Sequence, residues 1–407
     1  MNRICMYTPS ANGGHARYAW ELTTALAKAG RGRYEFELVS SQDLEDQYKS
    51  DQYGVHPILP TLVDRSQFSS HLAWALSRVT HYARRERRLL KWAQRRPDVD
   101  GVHFQEWTPW LASPLFRRLR AMGKKVFYTV HNIVPHRYPA RVPKALMHRW
   151  IRQACLQCDG LFVHTDNLAE ELGQFLGGTR QHPPIQVVPH GVWNVPASAK
   201  GPRLSERLRE KRLLFFGAIR RNKGLGLLLD AMERLPGYSI TIAGEPLERE
   251  FYRTQIVPQI QRVRAAGVRV DVIDHFVPEE QVGALFARHS AIVLPYTREF
   301  AAQSGVVFMA LAHELPVVAA EVGGMRDLLA EFKIGTTFRE AMPGDLATAV
   351  HSLFAGATES ELLAHMRAAK DRFSWDAAAR ATIAGYAAAD EVPTEANDCR
   401  IQTTPAL

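Results

Sequence analysis

The sequence has no long hydrophobic run. Its 407 residues contain no uninterrupted apolar segment of the ~20 residues that a transmembrane helix needs, and even the apolar stretch 213–219 is bounded by Arg212 and Arg220. The first residues lead directly into a strand-like segment and lack the apolar core of a signal peptide. We therefore expect a cytoplasmic protein.

Cysteine is also scarce. The chain has four cysteines, and only Cys155 and Cys158 are close together. A Cys-x-x-Cys pair can bind a metal or act in redox chemistry, but this one lies in a helical stretch and has no second pair to complete a site. We interpret both as ordinary helix cysteines, reduced in the cytosol.

The excess positive charge belongs to the N-terminal half. Residues 1–200 hold 27 Lys and Arg against 16 Asp and Glu, whereas the remainder holds 24 against 26. In the segment 78–96, Glu86 is the one acid among eight basic residues: Arg78, Arg84, Arg85, Arg87, Arg88, Lys91, Arg95 and Arg96. Apolar residues recur there at helical spacing, which is typical of an amphipathic helix that binds an anionic membrane surface. A solvated helix face packed by its apolar side and a nucleic-acid contact are the alternatives.

Short apolar runs alternate with helical stretches along the chain. The predicted strands are 4–8, 34–40, 102–104, 125–130, 161–164 and 185–188, then 212–216, 239–243, 268–273, 291–294 and 316–319. A linker-like composition at 193–202 separates the two groups. Two successive βαβ runs predict an α/β fold of two doubly wound, Rossmann-like domains, 1–195 and 203–374, with ligands in the cleft between them. Residues 391–407 have the composition of a flexible tail.

Three segments have the chemistry to hold phosphate. Gly13-Gly14 follows the first strand, where backbone N–H groups at a helix start can approach an anion. This turn is not G-x-G-x-x-G and lacks a phosphate-loop lysine, which argues against a dehydrogenase or a kinase. Arg220 and Lys223 follow the strand 212–216 and can together compensate a diphosphate leaving group. Gln303-Ser304-Gly305 precedes an apolar helix and forms another helix start rich in N–H groups.

The order of the short motifs resembles one enzyme family. In chain order they are Gly13-Gly14, His131-Asn132-Ile133-Val134-Pro135-His136, Pro189-His190-Gly191, Phe216-Gly217 with Lys223-Gly224, Ala243-Gly244-Glu245, His275-Phe276-Val277-Pro278, Leu294-Pro295-Tyr296, Gln303-Ser304-Gly305 and Phe373-Ser374-Trp375-Asp376. In this order they are similar to the retaining glycosyltransferases of family 4, whose GT-B architecture has two Rossmann-like domains. The resemblance covers residues 3–388, and its C-terminal half is the more diagnostic.

The resemblance implies roles for named residues. Arg220 and Lys223 would neutralise the donor diphosphate and His131 would lie beside the transferring sugar, so these three are the predicted catalytic residues. The predicted donor-binding residues are Gly14, Gly217, Glu245, Phe276, Val277, Gln303, Ser304 and Gly305. The predicted acceptor-side residues are Gly13, His15, Asn132 and His136. The helix 375–390 would cross back to the N-terminal domain, as is usual in this architecture.

One motif departs from the family pattern. The usual pair of glutamates would fall at Ala301 and Met309, and neither is acidic. We interpret this as a variant donor site, similar to a branch of the family that carries Gln-Ser-Gly. The run Asp98-x-Asp100 mimics the metal-binding D-x-D of other glycosyltransferases, but it lies in a turn that enters a strand and no second acidic cluster supports it. We therefore expect no metal and no cofactor.

Together with the resemblance, these features predict transfer of a sugar from a nucleotide-diphosphate sugar to a glycan or polyprenyl-linked acceptor at the inner membrane surface. The resemblance implies a role in polysaccharide or glycolipid assembly. The acceptor hydroxyl would attack from the side that the diphosphate leaves, which retains the anomeric configuration without a carboxylate nucleophile. The rival hypothesis, motivated by the missing glutamates, is a non-catalytic subunit that binds a nucleotide sugar or a glycan. A basic nucleic-acid binder leaves the C-terminal motifs unexplained, so we expect no nucleic-acid partner.

Overall fold

The computed structural model describes residues 2–62, 67–133, 142–177, 182–195, 201–299, 304–356 and 358–391. Contacts within the chain divide it into two compact units. Unit 1 comprises Met1–Gly191 and Trp375–Leu407, and unit 2 comprises Val192–Ser374. Unit 1 is therefore built from two separate segments of the chain, and unit 2 from one.

Unit 1 alternates strands and helices around a parallel sheet. Its strands are β1 (Asn2–Tyr7), β2 (Tyr34–Ser41), β3 (Gly54–Leu59), β4 (Gly101–Phe104), β5 (Lys125–Thr129), β6 (Gly160–Val163) and β7 (Ile185–Val187). Its helices, numbered in chain order, are α1 (Gly13–Ala29), α2 (His71–Gln94), α3 (Pro109–Ala121), α4 (Lys144–Cys155), α5 (Asp166–Leu176) and α15 (Trp375–Glu391). The strand order is β3-β2-β1-β4-β5-β6-β7, so the topology switches direction between β1 and β4.

The sequence predicts six of the strands in unit 1 to within two residues and misses β3. Strand β3 pairs on one side only, with β2, and it contains His56 and Pro57. Proline cannot donate to a sheet ladder and is confined to such edge strands. The polar and proline-containing pattern of β3 therefore hides it from an analysis that searches for apolar runs.

Helix α15, which belongs to the second segment of unit 1, packs against the sheet of that unit. The ring of buried Tyr386 lies 4.7 Å from that of Phe127 and 5.5 Å from that of Phe162, and its hydroxyl lies 2.6 Å from Nδ1 of His103. A Cβ atom on Gly385 would lie 2.4 Å from the Phe162 ring, so only glycine lets α15 approach this closely. The predicted return of the last helix to the N-terminal domain is confirmed.

Unit 2 repeats the same plan. Its strands are β8 (Arg212–Phe216), β9 (Ser239–Ala243), β10 (Val270–Ile273), β11 (Ala291–Leu294), β12 (Val317–Ala320) and β13 (Gly335–Phe338). Its helices are α6 (Leu204–Glu210), α7 (Leu225–Met232), α8 (Arg249–Phe251), α9 (Val257–Ala265), α10 (Glu279–Ala287), α11 (Gly305–Ala312), α12 (Met325–Phe332), α13 (Pro343–Gly356) and α14 (Glu359–Arg372), with a π-helical turn, Tyr252–Ile256, between α8 and α9. The parallel strands follow the order β10-β9-β8-β11-β12-β13.

The sheet of unit 2 forms the core of that unit. Every residue of β11 and β12 is buried, as expected for parallel strands covered by helices on both faces. The sequence predicts five of the strands and misses β13, an edge strand whose half-buried Thr336 and Thr337 interrupt the apolar pattern. Two doubly wound parallel sheets are thus present, and the predicted fold class is confirmed.

The basic segment 78–96 forms the later part of α2 and the turn after it. Two of its cations are engaged inside the fold: buried Arg85 pairs with buried Glu86 at 3.2 Å, and Arg96 donates to Glu37 at 2.6 Å. Five are exposed to solvent, namely Arg84, Arg87, Arg88, Lys91 and Arg95. The exposed side of α2 also carries Leu76 and Val79, which are 64% and 54% exposed. None of the helices in the described parts of the chain is long and apolar enough to cross a bilayer.

Candidate active site

Four histidines meet at the carboxyl edge of the sheet in unit 1. His131 follows β5, His164 follows β6, His190 lies three residues after β7, and His15 lies in the first turn of α1. The His131 ring centroid lies 5.0 Å from those of His15 and His164, and 5.0 Å from that of buried Tyr18 of α1. The topology thus brings together residues that are far apart in the sequence.

Burial keeps the inner histidines of this group neutral near pH 7. It lowers the pKa of His164 to about 4 and that of His190 to about 3. Burial, followed by the charges of neighbouring histidines, also holds the pKa of His131 well below its usual range. Nε2 of His131 is buried and has no hydrogen-bond partner among the described residues. Buried polar atoms are normally paired, so this nitrogen keeps an unused capacity for one hydrogen bond.

The glycine-rich turn after β1 lies beside these histidines. Helix α1 begins at Gly13, and no atom lies within 4 Å of the position where a Cβ on Gly13 or Gly14 would stand. The start of α1 therefore has open space beside it. Of the other predicted acceptor-side residues, His15 is exposed, Asn132 is half-buried, and His136 lies outside the described residues.

A second polar group near the same edge is not predicted from the sequence. Nη2 of Arg85 lies 2.5 Å from the hydroxyl of Thr108, and the hydroxyl of Ser10 donates to Glu106 at 2.5 Å. Arg85 Nε, Glu86 Oε2 and the hydroxyl of buried Tyr7 lack partners within the part of the chain that is described. Helical spacing shows which residues share a face of α2, but it cannot show that Thr108 lies opposite Arg85.

The loop after β8 carries Arg220 and Lys223 at the carboxyl edge of the sheet in unit 2. The residues Arg221–Lys223 form a 3-10 turn, and Gly224 follows with a φ of +66°. A Cβ atom on Gly224 would lie 1.7 Å from the carbonyl oxygen of Pro295, so only glycine fits there. The N–H of Thr297 donates to the carbonyl of Asn222 at 3.1 Å and ties the loop to the segment after β11. Both cations are therefore fixed at the point where the strand order reverses.

The surroundings of Lys223 favour its neutral form. Its Nζ lies 3.8 Å from the ring centroid of Tyr296. Burial, and then the positive charge of Arg220, lowers the pKa of Lys223 to about 7. An anion that binds next to this lysine would favour its charged form. The neighbouring Arg221 differs, because it is exposed and lies over the ring of Phe251.

Ser304 and Gly305 lie at the start of α11. Ser304 is the N-cap residue, but its side chain makes no capping hydrogen bond; its buried hydroxyl lies 3.1 Å from that of Tyr296. The indole N–H of Trp193 donates to the carbonyl of Gly305 at 3.2 Å. Because Tyr296 contacts both Ser304 and Lys223, the N-terminus of α11 and the cationic loop lie at the same edge of the sheet.

The other predicted donor-binding residues also follow strands of unit 2. Gly217 follows β8 and Glu245, which is exposed, comes shortly after β9. Phe276 is 52% exposed after β10, whereas the next residue, Val277, is buried. An exposed aromatic ring at this edge offers a face on which a nucleobase can stack. Gln303 lies outside the described residues.

Comparison with known proteins identifies the class of protein. The model for Glycosyltransferase Family 4 matches residues 12–192, and that for Glycosyl transferases group 1 matches residues 210–356. The chain is a GT-B glycosyltransferase of the family 4-like type. Glycogen synthase from Mycobacterium tuberculosis is 28% identical to this glycosyltransferase, over 94% of this chain and 93% of its own length.

Solved structures agree with this glycosyltransferase in fold. Sucrose-phosphate synthase from Thermosynechococcus elongatus superposes with a TM-score of 0.71 at 17% identity, covering 95% of this chain and 99% of its own. Anabaena Alr3699/HepE in complex with UDP-glucose superposes with a TM-score of 0.66 at 16% identity, covering 95% and 99%.

The potential metal ligands of the glycosyltransferase have structural partners. Asp98 pairs with Arg3 and with Arg96, the latter at 2.8 Å, and Asp100 accepts the backbone N–H of Arg3 at 2.7 Å. The hydrogen bond from Arg96 holds the pKa of Asp98 well below its usual range. Cys155-x-x-Cys158 is buried at the end of α4, and burial raises the pKa of both thiols. Within the described ranges, no three or more His, Cys, Asp and Glu side chains are grouped to hold a metal.

Sequence analysis of the glycosyltransferase predicts only some members of the histidine group in unit 1 and of the cationic group in unit 2. It singles out His131, Arg220 and Lys223, but it assigns no role to Tyr18, His164 and Tyr296, which contact them, or to His190, which contacts Tyr18 and His164. A signal for two of these neighbours is visible, because His131, His164 and His190 follow three successive strands of one sheet. Histidines that follow neighbouring parallel strands lie at the same edge of the sheet, and this pattern indicates one shared site.

Proposed function

We propose that this glycosyltransferase moves a sugar from a nucleotide-diphosphate sugar to a glycan or lipid-linked acceptor, with retention and without a metal. The observation that carries the proposal is the pair of cations, Arg220 and Lys223, held by backbone constraints at the carboxyl edge of the sheet in unit 2. Ligands of doubly wound sheets bind at this edge. The UDP-glucose bound to the Anabaena neighbour supports a nucleotide sugar as the donor.

The two cations serve the leaving group in this proposal. As the bond between the anomeric carbon and the phosphate oxygen breaks, the diphosphate takes the electron pair and gains negative charge. Arg220 can bind two phosphate oxygens with its planar fork, and Lys223 adds a compact positive charge. Fixed cations of this kind stabilise the developing charge without the reorganisation that water needs. The N–H groups at the start of α11, beside Ser304, add further donors.

The nucleoside of the donor fits the exposed residues beyond the phosphates. Phe276 offers an aromatic face after β10, and stacking of a base on such a ring contributes ~1–3 kcal/mol. Glu245 is exposed after β9, and its carboxylate would accept hydrogen bonds from hydroxyl groups of the donor. Both uracil and guanine can make these contacts, so the base of the donor is identified by the screen of nucleotide sugars described below.

The sugar-transfer step in this proposal uses no side-chain nucleophile. The acceptor hydroxyl attacks the anomeric carbon from the side that the diphosphate leaves, and the departing phosphate takes the hydroxyl proton. His131 holds the transferring sugar through its buried Nε2. The rings that contact His131 are those of His15, Tyr18 and His164, which suit orientation of the sugar better than covalent attack.

The acceptor side of the proposal rests on helix α2. The exposed side of the helix and the turn after it combine five cations with Leu76 and Val79, and the only acid in the helix, Glu86, is buried. Basic residues near an anionic lipid surface contribute about 1 kcal/mol each, and exposed apolar side chains can insert between headgroups. We therefore place the protein on the inner membrane surface during transfer, where a polyprenyl-linked acceptor would be presented.

A screen of nucleotide sugars tests this function. The purified protein is incubated with each donor in turn, beginning with UDP-glucose and GDP-mannose, and release of the nucleoside diphosphate is measured without acceptor. We expect slow hydrolysis of at least one donor, and faster release once an acceptor is added. The alternative is a non-catalytic binding subunit, which is favoured by the half-buried Met309 where the family usually has a glutamate. Tight binding of UDP or GDP with no release from any donor would establish that alternative.

A further inference from the structure

The hydrogen bonds around His131 form a directed chain. Nδ1 of His164 lies 3.1 Å from the carbonyl oxygen of Val188, and Nε2 of His164 lies 3.0 Å from Nδ1 of His131. A carbonyl oxygen can only accept, so Nδ1 of His164 carries a proton. A neutral imidazole carries one proton, so Nε2 of His164 is then an acceptor.

The proton on His131 is fixed by its hydrogen bond to His164. Its Nδ1 faces the acceptor nitrogen of His164 and must therefore donate. In a neutral ring this leaves Nε2 without a proton, and Nε2 is the buried atom that has no partner among the described residues. Such an atom is satisfied by a donor, and the hydroxyl of a sugar is one.

We propose that His164 is a positioning residue that fixes the tautomer of His131, so that Nε2 of His131 accepts a hydrogen bond from a hydroxyl of the transferring sugar. The identity of that ligand rests on the proposed function, whereas the tautomer does not. Without His164, the His131 ring is free to carry its proton on Nε2, where it could no longer accept from the sugar. The backbone carbonyl just after β7 thereby controls the chemistry of a ring that follows β5, through one intervening side chain.

The groups around the pair are compatible with two neutral rings. The titratable groups that face them are His15 and Tyr18 from α1, His190 after β7 and His103 on β4. Burial lowers the pKa of His103 and His190 to about 3 and raises that of Tyr18, so these three are uncharged at pH 7. Burial also holds the pKa of His164 at about 4, which leaves its Nε2 free to accept.

Proton positions on histidine rings can be observed directly. Long-range ¹H–¹⁵N correlation spectra of protein labelled with ¹⁵N-histidine distinguish a protonated ring nitrogen from a bare one, and His131→Gln assigns the His131 signals. In the wild-type protein we expect His131 and His164 both to carry the proton on Nδ1. A wild-type His131 with its proton on Nε2, or with both nitrogens protonated at pH 7, overturns the proposal whatever the enzyme transfers.

Two variants of His164 separate positioning from packing. His164→Leu removes the acceptor, so His131 should lose its fixed tautomer and donor turnover should fall about 10- to 100-fold, the range found when the partner that orients a metal-ligating histidine is removed. His164→Gln places an amide oxygen near the position of Nε2 and should keep the His131 tautomer and most of the turnover. UDP affinity, which depends on unit 2, should change little in either variant.

A matched control is available in unit 2. Buried His289 also donates from Nδ1 to a carbonyl, that of Leu285 at 2.6 Å, and its Nε2 lies 2.8 Å from the hydroxyl of Thr241. His289→Leu therefore removes a similar buried histidine but should leave the His131 tautomer and turnover unchanged. If His164→Leu keeps the His131 tautomer, the proposal is wrong. If the tautomer shifts as expected while no nucleotide sugar is hydrolysed by the wild type, the positioning role stands and the proposed function fails.

Discussion

The lowered pKa of Lys223 makes nucleotide binding dependent on pH. Burial and the charge of Arg220 hold the pKa of this lysine at about 7 in the free protein, against an ordinary value of 10.5. A diphosphate beside Nζ favours the charged form, so the bound protein should keep Lys223 protonated to much higher pH. Above pH 7 the free lysine is neutral, and binding must then take up a proton from solution.

The size of the effect follows from proton linkage. With a free pKa of about 7, uptake should be about 0.5 proton per UDP at pH 7 and about 0.9 at pH 8. UDP affinity should fall by about tenfold for each pH unit above 7.5, for as long as the complex keeps the lysine charged. The terminal phosphate of UDP, with a pKa near 6, is already ionised in this range and does not contribute.

Calorimetry measures both quantities. Titrations of UDP in buffers with different ionisation enthalpies give the proton uptake, and titrations from pH 7.5 to 9 give the affinity. Lys223→Arg keeps its charge at all these pH values and should abolish both effects. Arg220→Gln removes one cause of the lowered pKa, so the fall in affinity should begin at higher pH, whereas Arg221→Ala should behave like the wild type. A flat affinity between pH 7.5 and 9, or an unchanged slope in Lys223→Arg, refutes the reasoning.

Three further predictions follow from the loop, the helix and the chemistry. Gly224→Ala should destabilise the protein by about 2 kcal/mol or more, measured by denaturant unfolding, because it combines a strained φ with a clash against Pro295; a change of less than about 0.5 kcal/mol would contradict the structure. The wild type should pellet with anionic vesicles in low salt and not with neutral ones, and the binding should be lost when the exposed cations of α2 are reversed to glutamate, whereas reversal of Arg249 and Arg288 in unit 2 should have no effect. Donor turnover should survive excess EDTA, and full loss restored by Mg²⁺ or Mn²⁺ would disprove metal independence.

The sequence predicts the fold well because parallel strands buried on both faces are continuous apolar runs. Strands β8, β9 and β11 begin and end at the predicted residues, whereas β3 and β13 lie at sheet edges and carry polar side chains. Patterns of one strand or helix cannot show what faces it from elsewhere. The local pattern therefore does not reveal that Glu37, far away in the sequence, binds Arg96 of the basic segment.

Prediction of the candidate site from the sequence is limited in the same way, because contacts between distant residues are not visible in local patterns. The sequence finds Arg220 and Lys223 because both lie in one short loop after a predicted strand. It does not find the pair of His131 and His164, which lie 33 residues apart and meet because β5 and β6 are neighbours in the sheet. The lowered pKa of Lys223 is equally invisible in the sequence, because it arises from burial beside Tyr296.

Donor turnover by two loop variants tests the central claim most directly. Once a donor is known, its hydrolysis is compared among the wild type, Arg220→Ala, Lys223→Ala and the exposed control Arg221→Ala, with the free energy of unfolding measured for each. We predict a loss of about 10²-fold or more in the first two variants, since each removes a cation from the developing diphosphate, with near-normal stability and turnover in the third. Near-normal turnover in both Arg220→Ala and Lys223→Ala would contradict the assignment of this loop as the leaving-group site.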